Sequence, residues 1–254
     1  MKLRSVVIGF VSSALLASAT SAPSLASDQS AQIAAAIAAP DRSETQTARD
    51  EARKPADILA FSTIKPGDMV VDLGAGSGYF SRLLSGLVGD EGKVIAQNSP
   101  AVLELFGASI TPAMESLLSD RDNVVSLTAQ LDELELADNS LDAASILMFY
   151  HDAVWLPADR AKMNAGVFAA LKPGGVFLVT DHHAIAGSGV DAVQSLHRID
   201  AKVVRDDIIA AGFVLEAQSD VLRHPDDDRT LRVFDPTIRG KSDRFVYLFR
   251  KAKE

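Results

Sequence analysis

The fold of this sequence is decided by one stretch, Val71-Asp72-Leu73-Gly74-Ala75-Gly76-Ser77-Gly78-Tyr79-Phe80. It completes the apolar run that begins at Met69, which is typical of a buried strand, and it leads into residues 79–88, where apolar side chains recur at helical spacing. Glycine at every second position lets the backbone turn tightly and approach a ligand without Cβ clashes. The stretch therefore predicts a strand, a ligand-binding turn and a helix in succession.

The spacing of the glycines narrows the kind of ligand. The nicotinamide and flavin fingerprint is G-x-G-x-x-G, but Tyr79 stands where its third glycine would be. The spacing here is G-x-G-x-G, with Asp72 two residues before Gly74. Hydride transfer is therefore a weaker interpretation.

The remainder of the chain alternates between strand and helix patterns. Strands are predicted at residues 69–73, 93–96, 124–127, 143–148, 176–180, 213–217 and 245–249, and helices at 79–88, 102–118 (broken near Pro112), 160–171 and 200–211. This alternation predicts an α/β fold with a mostly parallel sheet of seven strands and helices on both faces. Ligands of such sheets bind beyond the carboxyl ends of the strands.

Composition excludes several classes of function. The chain has 254 residues, enough for one α/β domain, and 47% of them are apolar. Its net charge of −9 gives no reason to expect nucleic acid or an anionic membrane as a partner. Cysteine is absent from the sequence, which excludes disulfides, thiolate metal ligands and cysteine nucleophiles.

The N-terminal residues predict export. Lys2 and Arg4 precede an apolar run at residues 6–19, and Ser24-Leu25-Ala26 fits a signal-peptidase site. We expect a signal peptide at residues 1–26 and a periplasmic mature protein. We expect no stable membrane insertion after cleavage, because the sequence predicts no later stretch that could span a bilayer. An N-terminal extension, a weak helix or a linker, is expected at 27–48, and the main domain at 49–254.

The glycine stretch resembles motif I of class I S-adenosylmethionine (SAM)-dependent methyltransferases. Leu134 to Asp142 is similar to the segment leading into that family's fourth strand, and Leu171-Lys172-Pro173-Gly174-Gly175 to the turn before its fifth. Tyr150-His151-Asp152 and Arg239 to Phe245 also resemble a family of bacterial predicted methyltransferases that are often exported. The resemblance covers roughly residues 41 to 250.

The resemblance implies a Rossmann-like class I methyltransferase fold with SAM as methyl donor. The residues that it assigns to SAM are Asp72, Gly74, Ala75, Gly76, Gly78, Tyr79, Asn98, Gln130 and Leu131. In the family's pattern Asp72 lies near the SAM amino group. The sequence departs from the pattern at the ribose position, where Asn98 or Gln97 replaces an acid, and at the adenine position, where Gln130 does so unless Asp132 or Glu133 substitutes.

Histidines follow the predicted strands at the edge where a ligand would bind. A histidine there can remove a proton from an oxygen or nitrogen methyl acceptor. We expect His151 as the base, with Asp181 and His183 as the next candidates. His182 and His197 lie at the same edge of the sheet. Each histidine taken alone could instead simply hydrogen-bond a neighbouring loop. His151, Asp152, Asp181 and His183 could also hold a metal, but no compact metal motif is present, so none is expected.

The sequence therefore predicts methyl transfer from SAM to a small molecule. The Asn-Pro-Pro-Tyr type motif of many nucleic-acid and protein methyltransferases is missing, and oligomeric state is open. Because SAM is made in the cytoplasm, a non-catalytic exported binding protein on the same fold is the alternative. One or more of Arg49, Asp50, Arg53 and Lys54 could meet the SAM carboxylate or an acidic substrate, or these residues could form a solvated helix face. Residues 219–243 suggest a lid or crossing loop.

Overall fold

The computed structural model describes residues 25–253, so the predicted signal peptide up to residue 24 lies outside the described residues. The helices within this range are α1 (Leu25–Ile37), α2 (Glu44–Thr47), α3 (Asp50–Arg53), α4 (Pro55–Ser62), α5 (Tyr79–Val88), α6 (Pro100–Asp120), α7 (Arg160–Ala170), α8 (Val193–Leu196) and α9 (Ala201–Ala210). The strands are β1 (Met69–Leu73), β2 (Lys93–Asn98), β3 (Val124–Thr128), β4 (Leu141–Leu147), β5 (Leu171–His182), β6 (Val214–Ser219) and β7 (Arg244–Arg250).

The seven strands form one sheet in the order β3-β2-β1-β4-β5-β7-β6. Strands β1 to β5 pair in parallel, and β7 runs antiparallel to both of its neighbours. The predicted α/β fold with a mostly parallel seven-stranded sheet is confirmed. Strand order reverses between β1 and β4, so the turn after β1 opens into the crevice where such sheets bind ligands.

Each face of the sheet is covered by its own hydrophobic cluster. One cluster joins α1, α4, α5 and α6 to the sheet through residues such as Leu59, Leu84 and Leu117. The other joins α7 and α9 through residues such as Val167 and Val204. Central strands buried on both faces are mostly apolar and lack the alternation of a half-exposed strand, as in β1 and β4, whose buried polar residues Asp72 and Ser145 hydrogen-bond to each other.

Helix α6 differs from the sequence prediction. It runs unbroken from Pro100 to Asp120, although Pro112 lies inside it and a break was expected there. Pro112 has no N–H to donate to the Ala108 carbonyl, so the helix continues through this position with one backbone hydrogen bond fewer. Helix α6 is also long and apolar enough to cross a membrane by length and composition, which corrects the expectation that no later stretch could.

The N-terminal extension packs against the domain. Ile33 and Ala36 of α1 are buried, and a Cβ on Gly86 of α5 would lie 2.8 Å from the Cβ of Ala36. Asp41 forms ion pairs with Arg82 and Arg121. The sequence left a weak helix or a linker open for the N-terminal extension. The structure has a helix there, and that helix packs closely against α5.

Candidate functional site

The glycine turn is held to the end of β2 by hydrogen bonds. Gly74, Gly76 and Gly78 have φ angles of 62°, 56° and 77°, a region that side chains disfavour. The Gly74 N–H donates to Oε1 of Gln97 at 2.9 Å, and the Gly76 N–H donates to Oδ1 of Asn98 at 2.8 Å. The two amide side chains therefore fix the curvature of the turn.

The turn leaves open space beside Gly76 but none beside Gly74. The nearest atom to a Cβ built on Gly76 would be the Gly74 carbonyl oxygen at 4.0 Å, so a ligand can approach the backbone there. A Cβ on Gly74 would lie 2.0 Å from the ring of Phe149, which packs over that residue. Helix α5 begins directly after the turn with Gly78 at its N-cap, which adds the positive end of the helix dipole.

Asp72 lies beneath the turn, with both carboxylate oxygens engaged. Oδ2 accepts from the Ser81 hydroxyl at 2.6 Å and Oδ1 accepts from the Ser145 hydroxyl at 2.8 Å. Burial raises the pKa of Asp72 to about 6, although these hydroxyls partly oppose the shift. The carboxylate thus braces α5 against β4, and its contact with a ligand ammonium stays a prediction.

The residues predicted at the ribose and adenine positions cluster at the ends of β2 and β3. Nδ2 of Asn98 donates to the Gly76 carbonyl at 3.0 Å, and Nε2 of Gln97 donates to the Ala129 carbonyl at 2.7 Å. Gln130 is half-buried and Leu131 is fully buried. The Asn98 amide keeps a second N–H and further lone-pair capacity, which can still meet a hydroxyl.

These residues fit SAM at its methionine end. The open space above Gly76 and the N-terminus of α5 form a cradle for that end of the molecule. Asn98 would meet the ribose with a neutral amide, without the charge assistance of a carboxylate. Ala75 and Tyr79 complete the predicted set around the turn.

A cavity of about 700 Å³ lies at the carboxyl edge of the sheet, beside the ends of β4 and β5. His151, His182 and His197 all line it, together with Trp155 and Phe149. The loop between β6 and β7 supplies further lining residues, as expected for a stretch predicted to be a lid or crossing loop. The predicted histidines from separate parts of the chain therefore meet in one cavity, except His183.

The His151–Asp181 pair is the best-defined feature of this cavity. Oδ1 of Asp181 lies 2.8 Å from Nδ1 of the His151 ring, and Oδ2 accepts the His151 backbone N–H at 2.7 Å. Asp181 is fully buried and His151 is 3% exposed. The pair has the geometry of a histidine base oriented by a carboxylate.

His197 and Arg232 set the positions of the ring protons. Nη2 of Arg232 lies 3.0 Å from Nε2 of His197 and can only donate, so the proton of His197 lies on Nδ1. That atom lies 3.3 Å from Nε2 of His151, which therefore accepts, and the His151 proton lies on Nδ1 toward Asp181. The contact between the two histidines is longer than most hydrogen bonds, so an acceptor hydroxyl or amine can replace it.

A metal ion is the other occupant that this geometry allows. Nε2 of His151, Nδ1 of His197 and a carboxylate oxygen of Asp152 lie within 4.8 Å of one another. A metal on Nδ1 of His197 would need the proton on Nε2, where Arg232 donates instead. The contact with Arg232 therefore disfavours Nδ1 of His197 as a metal ligand.

The environments of the histidines separate their pKa values. Burial alone would lower the pKa of His151, but the charge and hydrogen bond of Asp181 and the charge of Asp152 together raise it. The pKa of His182 is lowered well below its ordinary value by burial, with the nearby His151 and Arg244 adding to the effect. His151 is thus the stronger base of the two.

His183 does not join the other histidines. It is absent from the cavity lining, and its ring packs against Phe245 at 5.1 Å. Burial lowers the pKa of His183 to about 4. His183 follows the end of β5 and forms a bridge to Ile199, and side chains of successive residues in extended backbone point to opposite sides, which separates it from His182.

Sequence reasoning missed the roles of several cavity residues. His197 was placed at the edge without a contact to His151, and Arg239 and Arg244 were noted only as part of a resemblance. No periodic pattern marks these positions. The available signal was the density of arginines after residue 220, in a chain with a net negative charge.

Comparisons with known proteins agree with this fold. Residues 71–179 match the family profile of a methyltransferase domain. The chain is 24% identical over 177 residues to the ubiquinone/menaquinone biosynthesis C-methyltransferase of Legionella pneumophila strain Lens, covering 67% of this chain and 66% of that protein. A crystal structure of a SAM-dependent methyltransferase from Aquifex aeolicus aligns with a TM-score of 0.58 at 19% identity, covering 80% of this chain and 98% of that one.

The fold is that of Rossmann-like methyltransferases, and the match to the methyltransferase domain spans residues 71–179. SAM is the methyl donor that this domain indicates. A further relative, the dimethylglycine N-methyltransferase of Parasynechococcus marenigrum strain WH8102, is 34% identical over 132 residues, or 51% of this chain and 43% of that protein. The matches span less than two thirds of these curated relatives, whose names point to different acceptors.

The pKa of His151 in this methyltransferase domain can be measured directly. We expect its imidazole to titrate above 6.5 by NMR, because two carboxylates outweigh burial. Asp181→Asn should lower that pKa by about 1–3, since it removes the closer charge. Asp226→Asn, the same change at an exposed loop position, should leave it unaltered. A wild-type pKa below 6.5, or an equal response to both variants, would contradict this electrostatic description.

Proposed function

We propose that this protein transfers a methyl group from SAM to an oxygen or nitrogen atom of a small molecule bound in the carboxyl-edge cavity. The observation that carries the proposal is the buried His151–Asp181 pair, which presents Nε2 of His151 to the cavity beside the glycine turn. Phe149 supports this placement, because it touches Gly74 and also lines the cavity. A base and a donor cradle thus lie side by side.

The proposed reaction needs few groups from the protein. When bound, SAM supplies an electrophilic methyl group, whose bond to sulfur breaks with the electron pair left on sulfur as the acceptor lone pair forms the new bond. Nε2 of His151 takes the proton that the acceptor loses, and Asp181 stabilises the resulting imidazolium. Only the neutral imidazole is a base, so the rate should rise with pH through the raised pKa of His151.

The proposed donor site is tested by two glycine variants with similar backbones. Gly76 and Gly67 have φ angles of 56° and 86°, and at neither would a Cβ meet an atom closer than 4.0 Å. Alanine at either position should cost about 1–2 kcal/mol of stability, because both need a left-handed backbone. Only Gly76→Ala should also weaken binding of S-adenosylhomocysteine, by about tenfold or more, since its Cβ enters the ligand space.

Isothermal calorimetry with S-adenosylhomocysteine provides the readout, and urea unfolding provides the stability control. Absence of binding to the wild-type protein at millimolar ligand would overturn the proposed donor. Equal loss of affinity in Gly76→Ala and Gly67→Ala would show that backbone strain, and not contact with the ligand, explains the effect.

One observation favours a second candidate, a non-catalytic binding protein on this fold. Gln97 and Asn98 are neutral and already bonded to the glycine turn, where an acidic side chain would grip the ribose more strongly. A binding protein would take up its ligand without product formation. Retained S-adenosylhomocysteine binding, with no transfer of labelled methyl to any acceptor that binds the cavity, would favour this candidate.

The proposal includes export to the periplasm through a signal peptide at residues 1–26. Lys2, Arg4, the apolar run that follows and the small residues at Ser24 and Ala26 support it. The full chain expressed in a Gram-negative host should appear in the periplasm with Ser27 as its first residue. Ala26→Asp should block this cleavage, because a charged side chain does not fit the signal-peptidase site.

Ala22→Asp provides the matched control for the cleavage site. It carries the same substitution four residues earlier and should leave cleavage before Ser27 intact. Retention of Met1 on cytoplasmic protein would contradict export.

A further inference from the structure

The arginines of the described residues fall into two groups, those with a carboxylate partner and those without one. Fourteen arginines lie within residues 25–253, and nine of them place a nitrogen within 4.0 Å of a carboxylate oxygen. The five that have no such partner among the described residues are Arg49, Arg53, Arg232, Arg239 and Arg244. All five line the carboxyl-edge cavity. Unpaired guanidinium groups therefore concentrate in one space.

The contacts that these arginines do make leave their charge unbalanced. Arg244 is 3% exposed, and it donates to the carbonyls of Ser242 at 3.0 Å and Gly240 at 2.9 Å. Arg53 lies over the Tyr79 ring at 4.8 Å. Burial lowers the pKa of Arg244 to about 10, and the charge of Arg53 adds to the effect. The charge of Asp243 acts against the pKa shift of Arg244, and the charge of Asp72 acts against that of Arg53, but burial outweighs both and neither carboxylate pairs with these arginines within 4.0 Å.

Placing cations this close together costs free energy unless an anion joins them. The chain contains 34 acidic residues and could have supplied counter-charges, as it does for Arg42 and Arg198 elsewhere. Asp152 is the acidic residue among those that line the cavity. A protein of net charge −9 thus carries a cavity with an excess of positive charge, which is the electrostatic complement of an anionic ligand.

The number of arginines exceeds what the methyl donor can neutralise. SAM has one carboxylate, which is accompanied in the same molecule by an ammonium and a sulfonium. Water reaches Arg49, Arg232 and Arg239, but Arg244 is buried and Arg53 is partly buried, so further negative charge is needed most beside these two. Planar guanidinium groups match the paired oxygens of carboxylate and phosphate, so the missing partner has such groups.

We propose that the methyl acceptor is a small polyanion with two or more carboxylate or phosphate groups, which these arginines hold while its reacting atom faces His151. This substrate class rests on the proposed function. Arg49 and Arg53 precede the first strand, and Arg239 and Arg244 lie near the start of the last, so the anion would join segments that are distant in sequence. The chemistry requires anionic oxygens, and citrate and inorganic pyrophosphate are the two probes that separate carboxylate from phosphate sources.

The protein contains a built-in reporter for this test. Its single tryptophan, Trp155, lines the cavity, so its fluorescence should respond to an entering ligand. Citrate or pyrophosphate should change the emission saturably at low ionic strength, and added salt should weaken the binding. Triethyl citrate, which has the same skeleton without charge, should cause no saturable change.

Variants locate the binding site. Arg49→Gln and Arg239→Gln alter exposed side chains, so folding should be retained, and each should weaken binding of the effective anion by about tenfold. Arg205→Gln removes the same charge from α9, where Arg205 pairs with Asp206 outside the cavity, and should leave affinity unaltered. Equal weakening by Arg205→Gln would overturn the proposal, because a diffuse charge effect would then explain the binding.

Calorimetry with S-adenosylhomocysteine separates this proposal from the proposed function. Binding of S-adenosylhomocysteine without a response to citrate or pyrophosphate would overturn the polyanion acceptor alone. Binding of either anion at the arginines without S-adenosylhomocysteine binding would support the anion site and overturn methyl transfer.

Discussion

The buried carboxylate of Asp181 is the interaction on which the site depends. It accepts the backbone N–H groups of His151 and His182, each at 2.7 Å, and faces the ring nitrogen of His151 at 2.8 Å. These bonds replace the water that a buried carboxylate loses, so the chain after β4 is held against the end of β5. Fixing both the backbone and the ring of His151 leaves its second nitrogen directed toward the cavity.

The charge around the His151–Asp181 pair is opposite in sign to the net charge of the protein. The chain is acidic, yet the cavity collects arginines that lack carboxylate partners among residues 25–253. Burial lowers the pKa of His182 well below its ordinary value, and the charges of His151, Arg244 and Arg53 add to the effect. His151 escapes this effect because Asp181 and Asp152 lie closer to it. The proposed anion and the proposed base are therefore electrostatically compatible in one space.

The sequence predicted the fold well because its signals are local. Apolar runs identified the strands, and the glycine spacing located the turn after β1 at the reversal of strand order. The directions of side chains were less predictable: Asp72 turns to two serine hydroxyls, and His183 lies apart from His151. Contacts such as that of Arg232 with His197 join distant segments, and no periodicity encodes them. The sequence therefore predicts which edge of the sheet carries the site, but it does not predict the hydrogen bonds among the side chains there.

The decisive measurement is a crystal structure with S-adenosylhomocysteine and the anion that binds most tightly. We expect the homocysteine part above Gly76, its sulfur directed into the cavity, and the anion between that sulfur and His151 in contact with Arg239 or Arg244. Asp181 should keep its contacts with the His151 ring and backbone. A nucleoside bound elsewhere, or a His151 ring turned away from both ligands, would refute methyl transfer assisted by His151.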